Sequence, residues 1–247
     1  MLIFGIAGGV FSAVLLYLSA SGMLVTVKER VLLNIIPHNA PLQQVENEWK
    51  FPVSVPGTTL IAQRVSSYEG PFLEDGSDRE VVNIAALQVY NAGEKNIHKA
   101  HIVLFCGDRS LSFYGEHIPV GVTVVLLERS AGTFRSDGFV GCSGWQETED
   151  SGQCIDGEIS VSDMAMGTLV VTNLTEKTFQ NVQVYYKSYL SPPGMFVGGI
   201  TYVVEIPLLL PGQTQNLYPY HYASGYSKVV TVTADTAKFE QKQGQNG

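Results

Sequence analysis

Val89-Tyr90-Asn91-Ala92-Gly93 and Val171-Thr172-Asn173-Leu174-Thr175 are two runs built alike, each an apolar stretch that ends in an asparagine and a turn. Asparagine suits that place because its short side chain bonds nearby backbone groups. Nine residues after each asparagine a new run begins, Ala100, Ile102 and Leu104 in one case and Val182, Val184 and Tyr186 in the other. Alternate residues of a strand face one side, so each triplet supplies one layer of a core. Further on, Ile118-Pro119-Val120-Gly121 matches the stretch that ends in Leu210-Pro211-Gly212. Thr stands two residues after that glycine and Leu five after it in both places: Thr123 and Leu126, Thr214 and Leu217. The second stretch carries a longer hairpin, Ser191-Pro192-Pro193-Gly194, which accounts for the difference in spacing. Matches kept in one order predict a diverged duplication of one β unit.

Around these runs the chain reads as strands throughout. Thr59–Ser67, Val81–Tyr90, Ala100–Cys106, Leu111–Tyr114 and Val122–Glu128 form a first set. Gly157–Asp163, Thr168–Thr172, Val182–Ser188, Gly199–Ile206, Asn216–Tyr218 and Ser227–Thr233 form a second. Each is rich in β-branched or aromatic residues and bounded by turn residues, and none has a sustained helical period. Short strands at this spacing predict antiparallel sheets packed in pairs. LQVYNAG, LVVTNLT and the LPGQT approach to a later strand resemble bacterial immunoglobulin-like modules of the CARDB and fibronectin type III kind. The resemblance is one of architecture and covers about residues 59 to 234. It implies an all-β chain of two tandem antiparallel Ig-like β-sandwiches, used as spacers or as adhesion and binding units outside the cell. The expected domains are 57–145 and 146–234, after a segment 1–30 and a spacer 31–56 with Pro37, Pro41, Pro52 and Pro56. A disordered polar tail is expected over 235–247.

Leu2 to Val27 contains no charged residue. As a helix it would be about 39 Å long, more than the roughly 30 Å hydrocarbon core requires. With no polar face and no basic n-region, it reads as a retained transmembrane anchor, against the rival of a cleaved signal peptide ending near Ser19-Ala20-Ser21-Gly22. Lys28 and Arg30 after the helix favour a cytoplasmic C-terminal part. The Thr-, Ser-, Tyr- and Gly-rich strands favour the outside, and an extracytoplasmic single-pass topology is the expectation.

The net charge of −8 lies entirely after Val27, and no basic run accompanies it, which argues against a nucleic-acid partner. Cys106 is in phase with Ala100, Ile102 and Leu104 and reads as a buried small hydrophobe. Cys142 and Cys154 flank an acidic, glycine-containing loop. Oxidised, they would close a short loop worth about 3 kcal/mol; in a reducing compartment they are free thiols. Gly141-Cys142-Ser143-Gly144-Trp145 lacks the cysteine next to Trp that a papain-like protease needs, and no P-loop, zincin or dinucleotide motif occurs. A cysteine-dependent enzyme is therefore only the remote alternative. His98 and His101 point to opposite faces of a strand. Asp75, Asp78 and Glu80, or Glu147, Glu149 and Asp150, are acidic turns that match no EF-hand loop, so neither a metal nor another cofactor is expected. Asn173-Leu174-Thr175 fits the N-glycosylation sequon.

Eight of the 12 tyrosines fall between Tyr185 and Tyr226. Tyr218, Tyr220, His221, Tyr222 and Tyr226 are the densest group, and tyrosine suits protein or sugar contacts. They are the candidate binding surface, with core packing as the competing role. The resulting expectation is a membrane-anchored structural or interaction protein without catalytic activity. The alternative is a surface module that binds a cell-envelope protein or glycan through this loop.

Overall fold

The computed structural model describes residues 51–77, 79–132, 135, 138–149, 154–164, 167–191 and 194–236. The expected membrane segment, all but the end of the spacer, and the tail from 237 lie outside the described residues. Every helix or strand among the described residues is a strand. In chain order they are β1 (Val53–Ser54), β2 (Leu60–Pro71), β3 (Glu80–Asn91), β4 (Ile97–Cys106), β5 (Arg109–Ile118), β6 (Thr123–Leu127), β7 (Phe139–Thr148), β8 (Ile159–Met164), β9 (Thr168–Asn173), β10 (Phe179–Leu190), β11 (Met195–Leu209), β12 (Thr214–Leu217) and β13 (Ser227–Thr236). The all-β class expected from the sequence is the class observed.

The strands form one seven-stranded sheet, β1-β2-β3-β6-β11-β10-β13, and two three-stranded sheets, β12-β9-β8 and β5-β4-β7. Two pairing orders recur. β2-β3-β6 corresponds to β8-β9-β12, and β5-β4-β7 to β11-β10-β13. One apolar cluster joins Leu60, Leu87 and Leu126 of the first group to Ile102, Leu104 and Phe113 of the facing strands. A second joins Ile159 and Val171 to Val184, Ile206 and Val232. Full burial of side chains this size contributes about 1.5–3 kcal/mol each. A third cluster, with Phe72, Ile84, Leu127 and Val197, includes residues on both sides of the junction between β6 and β11.

The two asparagines have the same surroundings. Asn91 is fully buried; its Nδ2 donates to the carbonyls of Lys95 (3.0 Å) and Ile118 (3.1 Å), and its Oδ1 accepts from Gly93 N at 3.0 Å. Asn173 donates to the carbonyls of Lys177 (2.7 Å) and Leu210 (3.0 Å) and accepts from Thr175 N at 2.9 Å. Each therefore ties its own turn to the end of a strand far along the chain. The following turns also match. Val122 N bonds Pro119 O and Gln213 N bonds Leu210 O, with Gly121 and Gly212 supplying φ of 70° and 64°. Thr123 then pairs with Tyr90, and Thr214 with Thr172. With its amide so enclosed, Asn173 has no room for a glycan in the folded chain.

The seven-stranded sheet is continuous because Val124 and Val125 of β6 pair in parallel with Phe196 and Val197 of β11. Just beyond that junction β11 bulges. Val197 opposes Ser188 and Tyr202 opposes Tyr186, so Gly198–Thr201 face Lys187 alone. The Lys187 side chain fills the bulge. It is fully buried, and its Nζ donates to the carbonyls of Gly198 (3.2 Å), Gly199 (2.8 Å) and Ile200 (2.8 Å), which uses all three ammonium donors. Glu74 Oε1 accepts from Gly199 N (2.7 Å) and Leu127 N (3.1 Å), and Glu116 Oε2 accepts from Thr201 N at 3.2 Å. A Cβ on Gly199 would overlap the Tyr114 carbonyl, so only glycine fits there. Burial pushes the Glu74 carboxyl up to about 7, against the lowering pull of its two amide donors and Lys187. Burial pulls the Lys187 amine down to about 8, while Glu74 and Glu116 hold it up.

Three boundaries differ from the sequence expectation. β7 runs through Thr148, past the division expected after Trp145, so the two strand sets meet after residue 148. β1 makes the end of the expected spacer part of the sheet, pairing Val53 with Ala62. β13 extends to Thr236, past the expected start of the tail. β7 escapes sequence reading because Gly141, Ser143 and Gly144 dilute it. Gly144 is glycine for a reason: an added Cβ would meet Val55, Thr58 and the His101 carbonyl.

Asn91→Ala and Asn173→Ala should each lower stability by about 3 kcal/mol, since each leaves buried carbonyls without donors; urea unfolding would measure this. Stability should also depend on pH through the bulge. Between the ordinary 4.5 and about 7, folded Glu74 keeps a proton that the unfolded chain has released, so stability falls as pH rises. Between about 8 and 10.5, folded Lys187 has lost a proton that the unfolded chain keeps, so stability rises with pH. Unfolding midpoints taken across both windows should dip between them. Glu74→Gln should flatten the acid side, and Lys187→Met the alkaline side.

Candidate functional site

The tyrosine-rich segment links β12 to β13 and is fastened by its own backbone. Tyr222 N bonds Pro219 O, Tyr226 N bonds Ala223 O, and Ser227 Oγ accepts from Ala223 N at 3.1 Å. The five residues grouped by sequence divide into two layers. Tyr222 is 5% exposed and belongs to the second core, edge-on to Tyr186 at 5.4 Å. Burial pushes both phenols up to about 12, and Asp163 adds to the effect at Tyr222. His221 stacks on Tyr202 at 4.5 Å and 19°, so it is the roof of the same stack. Tyr218 and Tyr220 are 61% and 62% exposed, with Tyr220 edge-on to His221 at 4.7 Å, and Tyr226 is half-buried. Tyr222 thus takes the competing core role rather than the surface, because the turn closed by its own N–H on Pro219 O sets its ring against Tyr186. Tyr218 and Tyr220 remain outward-facing.

Sequence reading missed a second place, where the two strand sets meet. A cavity of about 240 Å³ is lined by His98, His117, Glu147, Thr148 and Glu149 of the first set and by Cys154, Gln183, Tyr185 and Thr233 of the second. His117 is its inner wall. The residue is 6% exposed and adopts φ 45°, a left-handed conformation uncommon for a side-chain-bearing residue. Its Nδ1 lies 2.6 Å from Glu149 Oε1; the carboxylate can only accept, so Nδ1 carries the proton. Glu149 Oε2 accepts from Asn96 Nδ2 at 3.1 Å, and Glu149 N bonds Asn96 O, so the carboxylate is held at both ends. The His117 ring lies on Tyr185 at 4.1 Å and meets the His98 ring edge-on at 5.0 Å. Burial pushes the Tyr185 phenol up, and Glu149, Glu205 and Glu116 push it further. The sequence does not bring these residues together, because they come from five strands and the connection between β7 and β8.

The other residues singled out by sequence are placed as follows. Cys106 is buried in the first core, as its phase predicts. Cys142 and Cys154 are free thiols rather than a disulfide. They are committed elsewhere: Cys142 sits on β7 opposite Leu104 with its thiol toward Ser54 O, and Cys154 bridges Thr233 and points at Asp156 Oδ2, 3.2 Å away. Asp75 accepts from Ser77 N and Oγ and from Arg79 Nε, which holds its carboxyl below the usual range. Among the described residues no three His, Cys, Asp or Glu side chains converge as metal ligands. His101 Nε2 lies 2.7 Å from Ser112 Oγ, but among the described residues no carboxylate orients that ring. No family model matches the sequence, and no curated protein matches it.

The two layers of the tyrosine loop should respond differently to truncation. Tyr222→Ala should cost about 3 kcal/mol, as for other buried aromatic rings. Tyr218→Ala and Tyr220→Ala should change stability by less than about 0.5 kcal/mol. Thermal unfolding of the three variants distinguishes them.

Proposed function

We propose that this chain is a non-catalytic interaction protein, two tandem Ig-like sandwiches joined into one rigid body and displayed outside the cytoplasmic membrane by the apolar segment near its start. The supporting observation is the parallel pairing of β6 with β11, which carries one sheet through both strand sets where a flexible linker would let them swing. The bonds from Gly199 N to Glu74 and from Thr201 N and Oγ1 to Glu116 add three more ties at the same seam. Such a body keeps its faces in fixed relation, which serves presentation of a surface at a set distance and angle. The recurring strand order and the twin asparagine turns support the duplication, and with it the resemblance to spacer and adhesion modules. Among the described residues no helix is long and apolar enough to cross a membrane, so the anchor rests on residues 2–27. The outward pair Tyr218 and Tyr220 is the proposed contact surface for an envelope protein or glycan.

Two measurements test this reading. In calorimetry, the full chain in detergent should unfold its β region in one transition, since the β6–β11 pairing and the Glu74 and Glu116 bonds couple the two halves. Two well-separated transitions would mean independent domains on a hinge. Protease added to intact cells should remove an epitope placed at Gly247; full protection until the membrane is opened would put the β region inside.

A further inference from the structure

The cavity at the seam has a composition that the rigid-body reading does not use. Its walls carry the carboxylates of Glu147 and Glu149 beside two imidazoles and two threonine hydroxyls. The Nδ1 proton of His117 is given to Glu149; in the neutral ring Nε2 is then an acceptor, and no partner for Nε2 is found among the described residues. The ring is 6% exposed, so bulk water does not solvate that atom freely. A buried acceptor without a donor costs about 1–3 kcal/mol. Glu147 adds a carboxylate at the rim. Two donors of the lining point elsewhere: the Tyr185 hydroxyl goes to Gln183 Oε1 at 2.7 Å, and Gln183 Nε2 donates to Glu205 Oε1 at 3.2 Å. An adjoining hollow of about 340 Å³ shares Gln183 and Thr233 and adds Glu205 and Asp235. Neither lining contains a Lys or Arg.

The complementary ligand is positively charged and carries only donors. An ammonium group has three N–H donors and no acceptor. A divalent cation would instead need several side chains converging on one point, and no such group of three exists among the described residues. Size narrows the choice further. At about 240 Å³ the cavity is smaller than the roughly 300–1,000 Å³ typical of drug-sized ligands, so it takes the end of a chain. We infer that the seam cavity binds a primary ammonium group, with His117 Nε2 accepting one hydrogen bond and Glu147 and Glu149 supplying the opposing charge. The group could be the end of a small free amine or a lysine side chain of a protein partner; the chemistry at His117 is the same.

The test uses nitrogen NMR of the histidine rings in the folded full chain, titrated with n-butylamine, with Nα-acetyl-lysine methylamide, with butanol and with Zn²⁺. Both amines should move the His117 Nε2 resonance saturably, and butanol should not. Glu147→Gln leaves the fold intact because Glu147 is exposed, and it should weaken amine binding roughly 5-fold, the effect of losing one nearby charge. Tighter binding of the lysine derivative than of butylamine identifies a protein partner as the source; equal binding identifies a free amine. The inference is overturned if neither amine moves His117, if butanol moves it equally, if Glu147→Gln leaves amine affinity unchanged, or if Zn²⁺ alone produces the shift.

Discussion

A fully buried lysine sets the geometry of the seam. Removing an ammonium from water is costly unless every donor is met, and Lys187 meets that condition with three carbonyls in succession, Gly198 to Ile200. Three consecutive carbonyls converge on one point only where the strand leaves its ladder. The bulge is therefore required by the lysine, and the lysine by the bulge. The same departure turns Gly199 N toward Glu74 and Thr201 N toward Glu116, so carboxylates from the first strand set engage the second. It also follows directly after Val197, the last residue of β11 paired with β6. Continuity of the large sheet, the fit of Gly199 against Tyr114 and the ionisation of Glu74 all depend on this one arrangement.

What could be read from the sequence was the part that repeats locally. An asparagine that closes its own turn leaves a local signature, and Asn91 and Asn173 keep it because each holds both its turn and a distant strand end. Strand alternation was equally legible, from Ala100, Ile102 and Leu104 to Val182, Val184 and Tyr186, all buried. β7 was not, because its Gly144 is set by the close passage of the β1 segment, a contact between residues distant in the chain. Lys187 reads as an ordinary polar residue of a strand; only the four residues that face it across the sheet reveal its burial.

The candidate site divides along the same line. Tyrosine density drew attention to the segment from Tyr218 to Tyr226, but density alone does not assign a direction to each ring. Direction comes from packing: Tyr222 meets Tyr186 and His221 meets Tyr202, while Tyr218 and Tyr220 project away from the core. The sequence does not bring the walls of the His117 cavity together, since His117 and Glu149 are separated by 32 positions and Tyr185 belongs to the other strand set.

The seam and the cavity are physically connected. Tyr185 and Lys187 lie two residues apart on β10, and two residues along a strand project to the same face unless a bulge intervenes. A register shift of β10 against β13 occurs between Tyr185 and Tyr186, and the shift against β11 falls between Tyr186 and Ser188. The irregularities separate the roles of neighbouring side chains: Lys187 is enclosed by its own hairpin, and Tyr185 lies against His117. Glu116 acts on both groups, raising the phenol of Tyr185 and supporting the charge of Lys187. The strand that carries Glu116 also carries His117, so any shift of β5 against β11 would disturb the ring stack and the bulge together. A cavity made this way has little freedom to open or close. Its walls are preorganised, and preorganised walls lose less conformational entropy on binding, which is how a small site with few contacts retains affinity.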